Sequence, residues 1–270
     1  MLPVDAARKN PFVADLMKGQ SVIVTGGGTG IGRATAIELL QLGARVAIGS
    51  RKPEHLDPTV KELSALGEVI ALPCDIREPD SVAAFVDGVL ERLGRIDVLV
   101  NNAGGQFPSP AEHLSARGFE AVVRNNLNGT FFMTREVAVR AMIPQKAGSI
   151  VNVIANIARG FPGMAHTGAA RAGVENLTKT LAVEWAQHDV RVNAVAPGII
   201  QSTGIAQYPP ELVKMSVART PQKRIGTVEE VAHSIVYLAS PAAAFITGTT
   251  LQIDGGASLW GDSWLIPDRE

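Results

Sequence analysis

Residues 21–32 read SVIVTGGGTGIG: a β-branched apolar run, a glycine-rich turn, and the opening of a helical pattern. Residues 21–24 have the composition of a strand buried on both faces, and residues 31–42 carry apolar side chains at helical spacing. A glycine-rich turn joining strand to helix lets the backbone approach a pyrophosphate, whose charge then rests on the helix N-terminus. Thr25, Gly26, Thr29, Gly30, Ile31 and Gly32 are the candidate contacts. Glycines that merely make a tight turn are the alternative, and the rest of the chain decides between the two.

Outward from that segment, strand-like runs recur at residues 46–48, 69–72, 98–100, 150–153, 190–195 and 250–253. Helically spaced segments separate them at 53–66, 81–93, 116–142, 168–188 and 228–239. Strands alternating with helices predict right-handed crossovers and a parallel sheet. The expected fold class is therefore α/β, a single Rossmann-type doubly wound parallel sheet with helices on both faces. No repeat or linker divides the chain, so one domain is expected over residues 1–270.

The 270 residues carry 25 Lys+Arg against 26 Asp+Glu, a net charge of −1, which gives no electrostatic footprint for nucleic acid or an anionic membrane surface. Hydrophobic residues at 46% and charged ones at 19% are those of a globular chain. The single cysteine, Cys74, excludes an internal disulfide framework and a cysteine-cluster metal site, and no metal is expected. No apolar run approaches the ~18–20 residues that span a bilayer. The first twenty residues lack the apolar core and cleavage site of a secretory signal. A cytoplasmic protein is the expectation.

The ends of the predicted strands collect a second set of candidates. After the second strand stand Arg51 and Lys52, where a site preferring NAD places an acid for the ribose 2′-hydroxyl. Two adjacent cations suit a 2′-phosphate instead, so NADP(H) is the expected cofactor; a solvated basic turn is the alternative. Asp75 and Ile76 follow the third strand, where a carboxylate can accept from the adenine amine. Asn102, Ala103 and Gly104 follow the fourth, beside the adenosine ribose. Pro197, Gly198 and Ile200 follow the sixth, where a turn can support the nicotinamide. Ligands of open α/β sheets gather at such ends.

The TGGGTGIG, NNAG (101–104), Pro197-Gly198 and IDGG (253–256) motifs together resemble the short-chain dehydrogenase/reductase family over nearly the whole chain. The resemblance implies a nicotinamide cofactor and a homo-tetramer. Residues 101–115 and 160–185 are similar to the enoyl-CoA and dienoyl-CoA reductase branch, which implies an acyl-CoA substrate and reduction of a conjugated C=C bond.

The family pattern has a Tyr and a Lys four residues apart, with a Ser thirteen residues before the Tyr. Here the resemblance sets Thr167 at the Tyr position and Arg171 at the Lys position, and the Ser falls on Ile154 or Ala155. An alkyl hydroxyl is far less acidic than a phenol, and an arginine holds its proton, so a Tyr–Lys proton relay is absent. Neither Tyr208 nor Tyr237, the two tyrosines, falls in this region. By the resemblance, the positions that carry a Tyr in the two branch enzymes fall here on Glu175 and on Asn156 or its neighbours. Glu175 and Lys179 read as a surface ion pair at i,i+4.

Asn126 matches the family's active-site asparagine. His166 precedes Thr167, and Thr167 shares a helix face with Arg171. The candidate catalytic set is thus Asn126, His166, Thr167 and Arg171, with Arg171 also a cofactor contact. His166 reads equally as a structural or surface residue, and Thr167 equally as a helix cap. Reducing a C=C bond conjugated to a thioester needs fixed donors for an enolate oxygen, not a poised phenol, and these residues suit that. A carbonyl or alcohol dehydrogenase with an atypical proton donor, and a non-catalytic NADPH-binding protein, stay open. Gln106, Phe107 and Met164 are candidate walls of an acyl pocket, and residues 199–210 a candidate lid. The chain ends PDRE, unlike a peroxisomal Ser-Lys-Leu address, so peroxisomal import by that signal is not expected.

Overall fold

The computed structural model describes residues 12–51, 56–202, 204–205, 208–260, 264 and 266–268. Lys52 and Thr203 lie outside these. The strands are β1 (Ser21–Thr25), β2 (Arg45–Ser50), β3 (Val69–Pro73), β4 (Val98–Asn101), β5 (Gly148–Val153), β6 (Val190–Pro197), a short pair β7 (Ile200–Gln201) and β8 (Gly226–Thr227), and β9 (Thr250–Ile253). Seven of them form one sheet in the order β3-β2-β1-β4-β5-β6-β9, and every pairing is parallel.

Around the sheet lie α1 (Gly30–Gln41), α2 (Leu56–Leu63), α3 (Pro79–Leu93), α4 (Ala116–Val123), α5 (Gly129–Val137), α6 (Ile143–Gln145), α7 (Ala165–Glu184), α8 (Pro210–Ala218) and α9 (Val228–Ala239). The strand period of two explains the two cores. Val22 and Val24 face Leu39, Val231 and Ile235 of α1 and α9; Ile23, between them, faces the side holding Phe85, Met133 and Leu181 of α3, α5 and α7. With both faces covered, the strands need apolar side chains at every position, which is why they read as continuous runs.

Strand order builds outward from β1 to β3, then reverses through β4. The crevice between the carboxyl ends of β1 and β4 is the switch point where ligands of this architecture bind.

Three expectations shift. The helical run predicted at 116–142 extends through α6, interrupted by π-turns at Arg124–Asn128 and Ala138–Met142. The helix predicted to start at 168 starts at Ala165, because Gly163 at φ +75° turns the chain into it. That puts Thr167 inside the first turn, with Met164 as the N-cap, so Thr167 is not a cap. The pair β7–β8 and helix α8 had no counterpart in the sequence reading. Among the described residues, no helix is long and apolar enough to cross a membrane.

Candidate active site

The glycine-rich turn is built as a cradle. Gly26 (φ +66°) and Gly30 (φ +53°) adopt backbone that suits glycine, and a Cβ on Gly32 would lie 2.4 Å from both Gly26 O and Asn102 Nδ2. Thr29 caps α1 in extended backbone without a side-chain hydrogen bond, and the first turn holds no acid, so the helix N-terminus keeps its N–H groups for an anion. Thr25 buckles the two strand ends of the switch point: its Oγ1 accepts from Asn102 N and Ala103 N at 3.0 Å, and donates to Val100 O at 3.3 Å. Asn102 Nδ2 donates to Thr25 O at 3.0 Å and Gly26 O at 3.2 Å.

Along the same edge, Arg51 is exposed at the end of β2. Asp75 sits close enough for the Arg51 charge to act on its carboxyl, but its principal partner is Arg77. Arg77 Nε and Nη2 donate to the carboxylate at 2.9 and 2.5 Å and hold it below the usual acid range. The Ile76 side chain is buried, in the space that a Cβ on Gly129 would enter. Beyond β6, Gly198 N donates to Ile253 O at 3.0 Å, Asn156 N donates to Pro197 O at 2.9 Å, and Ile200 is buried in β7.

Gly104 is the meeting point of the catalytic candidates. A Cβ there would lie 2.5 Å from Arg171 Nη2 and 2.6 Å from Asn126 Oδ1. Asn126 is 0% exposed and sits in the first π-turn; Nδ2 donates to Gly105 O and Val122 O at 2.7 and 2.9 Å, and Oδ1 accepts from Gly105 N at 3.2 Å. A π-turn rotates the residues it carries relative to the helix before it, a device common at functional sites.

Arg171 Nη1 donates to Val153 O at 2.8 Å. Among the described residues its buried Nε has no partner, and none of the described ion pairs includes it. Burial alone pulls its guanidinium down from 12.5 to about 10, which leaves it charged at neutral pH.

His166 and Thr167 are both 0% exposed, which excludes a surface histidine. His166 Nδ1 accepts from Thr167 N at 2.7 Å, so the proton of the neutral ring lies on Nε2, which is buried with no partner among the described residues. Thr167 Oγ1 stands 3.1 Å from the same Nδ1. Phe107 packs edge-on against His166 at 4.6 Å between ring centroids. Beneath the site a buried polar chain ties the scaffold: Thr134 Oγ1 and Asn152 Oδ1 both accept from Asn101 Nδ2, and Asn152 Nδ2 donates to Thr178 Oγ1.

Tyr208, within the candidate lid 199–210, makes a contact that the sequence did not show. Tyr208 OH accepts from Gln106 Nε2 at 2.6 Å and lies 3.9 Å from Met164 Sδ, two of the candidate pocket walls. The phenol that sequence placed outside this region therefore reaches it, across 102 residues of chain from Gln106. Glu175 and Lys179 form the expected exposed pair, at 3.0 Å.

A dinucleotide fits these residues: a cradle that tolerates no Cβ, an uncapped helix N-terminus, and a guanidinium with an orphaned nitrogen beside Gly104. Such a fold and edge define a Rossmann-type protein with a site suited to a dinucleotide. The family model described as enoyl-(acyl carrier protein) reductase matches residues 26–258. A probable 2,4-dienoyl-CoA reductase of Bacillus subtilis is 40% identical over 93% of this chain and 99% of its own. The peroxisomal 2,4-dienoyl-CoA reductase of Pongo abelii is 38% identical over 94% of this chain and 88% of its own. Among solved structures, the citronellol catabolism dehydrogenase AtuB of Pseudomonas aeruginosa superposes with a TM-score of 0.84 at 48% identity, covering 93% of this chain and all of that one. The chain belongs to the short-chain dehydrogenase/reductase family.

Proposed function

We infer that the protein is an NADPH-dependent reductase of the conjugated C=C bond of fatty enoyl-CoA thioesters, 2,4-dienoyl-CoA or trans-2-enoyl-CoA. The observation that carries this is Arg171: a buried cation with no acid partner, one helical turn from a threonine where the family pattern has its phenol. A positive charge held at neutral pH suits a developing enolate better than it suits protonation of a carbonyl. The dienoyl-CoA reductases at 38–40% identity support the same reading.

Bound at the carboxyl edge of the sheet, NADPH supplies the hydride. Thr25, Gly26, Thr29, Gly30, Ile31 and Gly32 hold its pyrophosphate, and Asn102, Ala103 and Gly104 line the adenosine ribose. Arg51 and Lys52 take the 2′-phosphate, Asp75 and Ile76 flank the adenine, and Pro197, Gly198 and Ile200 back the nicotinamide. Once hydride reaches carbon, negative charge collects on the thioester oxygen. Arg171 and the Thr167 hydroxyl stabilise it, while Asn126, whose two amide hydrogens are both spent on backbone carbonyls, positions the 104–106 loop. The α-carbon takes its proton from water or from the protonated form of His166, which returns to the neutral ring. Exposed Phe131 and Val183, on α5 and α7, support assembly as a homo-tetramer.

A second reading, an alcohol or carbonyl oxidoreductase, draws on the 48% identity to AtuB and on the phenol of Tyr208. Steady-state NADPH oxidation separates the two. Turnover of dienoyl- and enoyl-CoA with simple ketones left untouched supports the first; turnover of simple ketones alone supports the second.

A further inference from the structure

Tyr208 reaches the cleft with half of its hydrogen-bonding capacity unspent. Its oxygen accepts from Gln106 Nε2 at 2.6 Å. Among the described residues its O–H hydrogen faces only the Met164 sulfur, at 3.9 Å, and a thioether is a weak acceptor. A half-buried phenol that keeps a donor in hand stands ready for an acceptor it does not yet have.

Its two neighbours fix where that acceptor belongs. Gln106 lies two residues beyond Gly104, at which Arg171 and Asn126 converge. Met164 is the N-cap of α7, three residues before Thr167, and the loop carrying Gln106 is tied to it through Ser109 N, which donates to Gly163 O at 2.7 Å. The phenol therefore bridges the two loops whose ends carry Arg171's contact and Thr167.

We propose that Tyr208 is a substrate-contacting residue that donates its phenolic O–H to the carbonyl oxygen of the bound acyl thioester. The proposal rests on the acyl-CoA reading above and deepens it: the substrate class is one with a carbonyl oxygen at this point, read by a neutral donor from the segment after β7. Tyr208 makes a hydrogen bond only; no covalent step passes through it.

The test compares two saturated ligands on the NADP⁺-loaded protein, an acyl-CoA thioester and the matching S-alkyl-CoA thioether, which lacks the carbonyl oxygen. Calorimetric Kd values are measured for the wild type and for Tyr208→Phe, which keeps the ring. The wild type is expected to prefer the thioester, and Tyr208→Phe to reduce that preference about five- to tenfold, the worth of one hydrogen bond. Loss of a merely structural contact would weaken both ligands alike. An equal preference in the two proteins, or none in the wild type, overturns the proposal. Failure of the reductase reading shows separately, as absence of NADPH oxidation by the wild type with unsaturated thioesters.

Discussion

Asn126 grips Gly105 from both sides of its peptide, donating to its carbonyl at 2.7 Å and accepting from its N–H at 3.2 Å. Both groups belong to the loop that sets Gly104 against Arg171. Asn126→Ala is expected to remove its hydrogen bonds to Gly105 and Val122 and to cost about 1–3 kcal/mol of stability. Turnover should fall about 10- to 100-fold as the loop drifts, with NADPH affinity changed less. Urea unfolding and steady-state kinetics on the purified variant check both.

Arg171 predicts a pH profile. Its guanidinium titrates at about 10, pulled down by burial, and losing the proton removes the charge that stabilises the enolate. kcat should hold level from pH 7 to 9 with respect to this group and fall as pH rises through about 10. Arg171→Gln should lack that limb and run about 100-fold slower at pH 8.

Arg51 tests the cofactor preference. It stands exposed at the end of β2, where the family's NAD-preferring sites place an acid. Arg51→Ala should weaken NADPH about tenfold and leave NADH nearly unchanged. Fluorescence titration of both cofactors reads this, and an equal loss for both would contradict it.

Glu230 predicts a stability profile remote from the site. Arg224 Nη1 and Nη2 donate to it at 2.8 and 2.5 Å, and with the capping box to Thr227 they hold its carboxyl down at about 2. A depressed acid stabilises above its unfolded value of 4.5, and that contribution is lost as pH falls through 2. The carboxylate is 38% exposed, so solvent screening reduces the benefit to about 1 kcal/mol. Glu230→Gln should lower the urea midpoint at pH 7, and the difference should shrink between pH 4.5 and 2.

How much of this was legible in the sequence follows from which interactions are local. All seven sheet strands were, because residues such as Val22, Ile23 and Val24 must each be apolar when helices cover both faces. The cradle was, because Gly26, Gly30 and Gly32 each answer a backbone demand. The π-turn at Asn126 was not: apolar spacing alone does not register one extra residue in a turn. Nor was the early start of α7, where the backbone at Gly163 outweighed side-chain pattern. Tyr208 was invisible for a different reason, since 44 residues separate it from Met164 and only tertiary packing brings them together. β7 and β8, two residues each, are too short to show a period.

The most direct test of enolate chemistry in a site without the Tyr–Lys pair follows the hydride itself. NADPH deuterated at its transferring position is incubated with a 2,4-dienoyl-CoA thioester and the product is examined by mass spectrometry. Deuterium on a chain carbon, with the thioester carbonyl intact, is the expected result. An unlabelled, unchanged thioester, alongside a deuterated secondary alcohol made from a simple ketone, would contradict it.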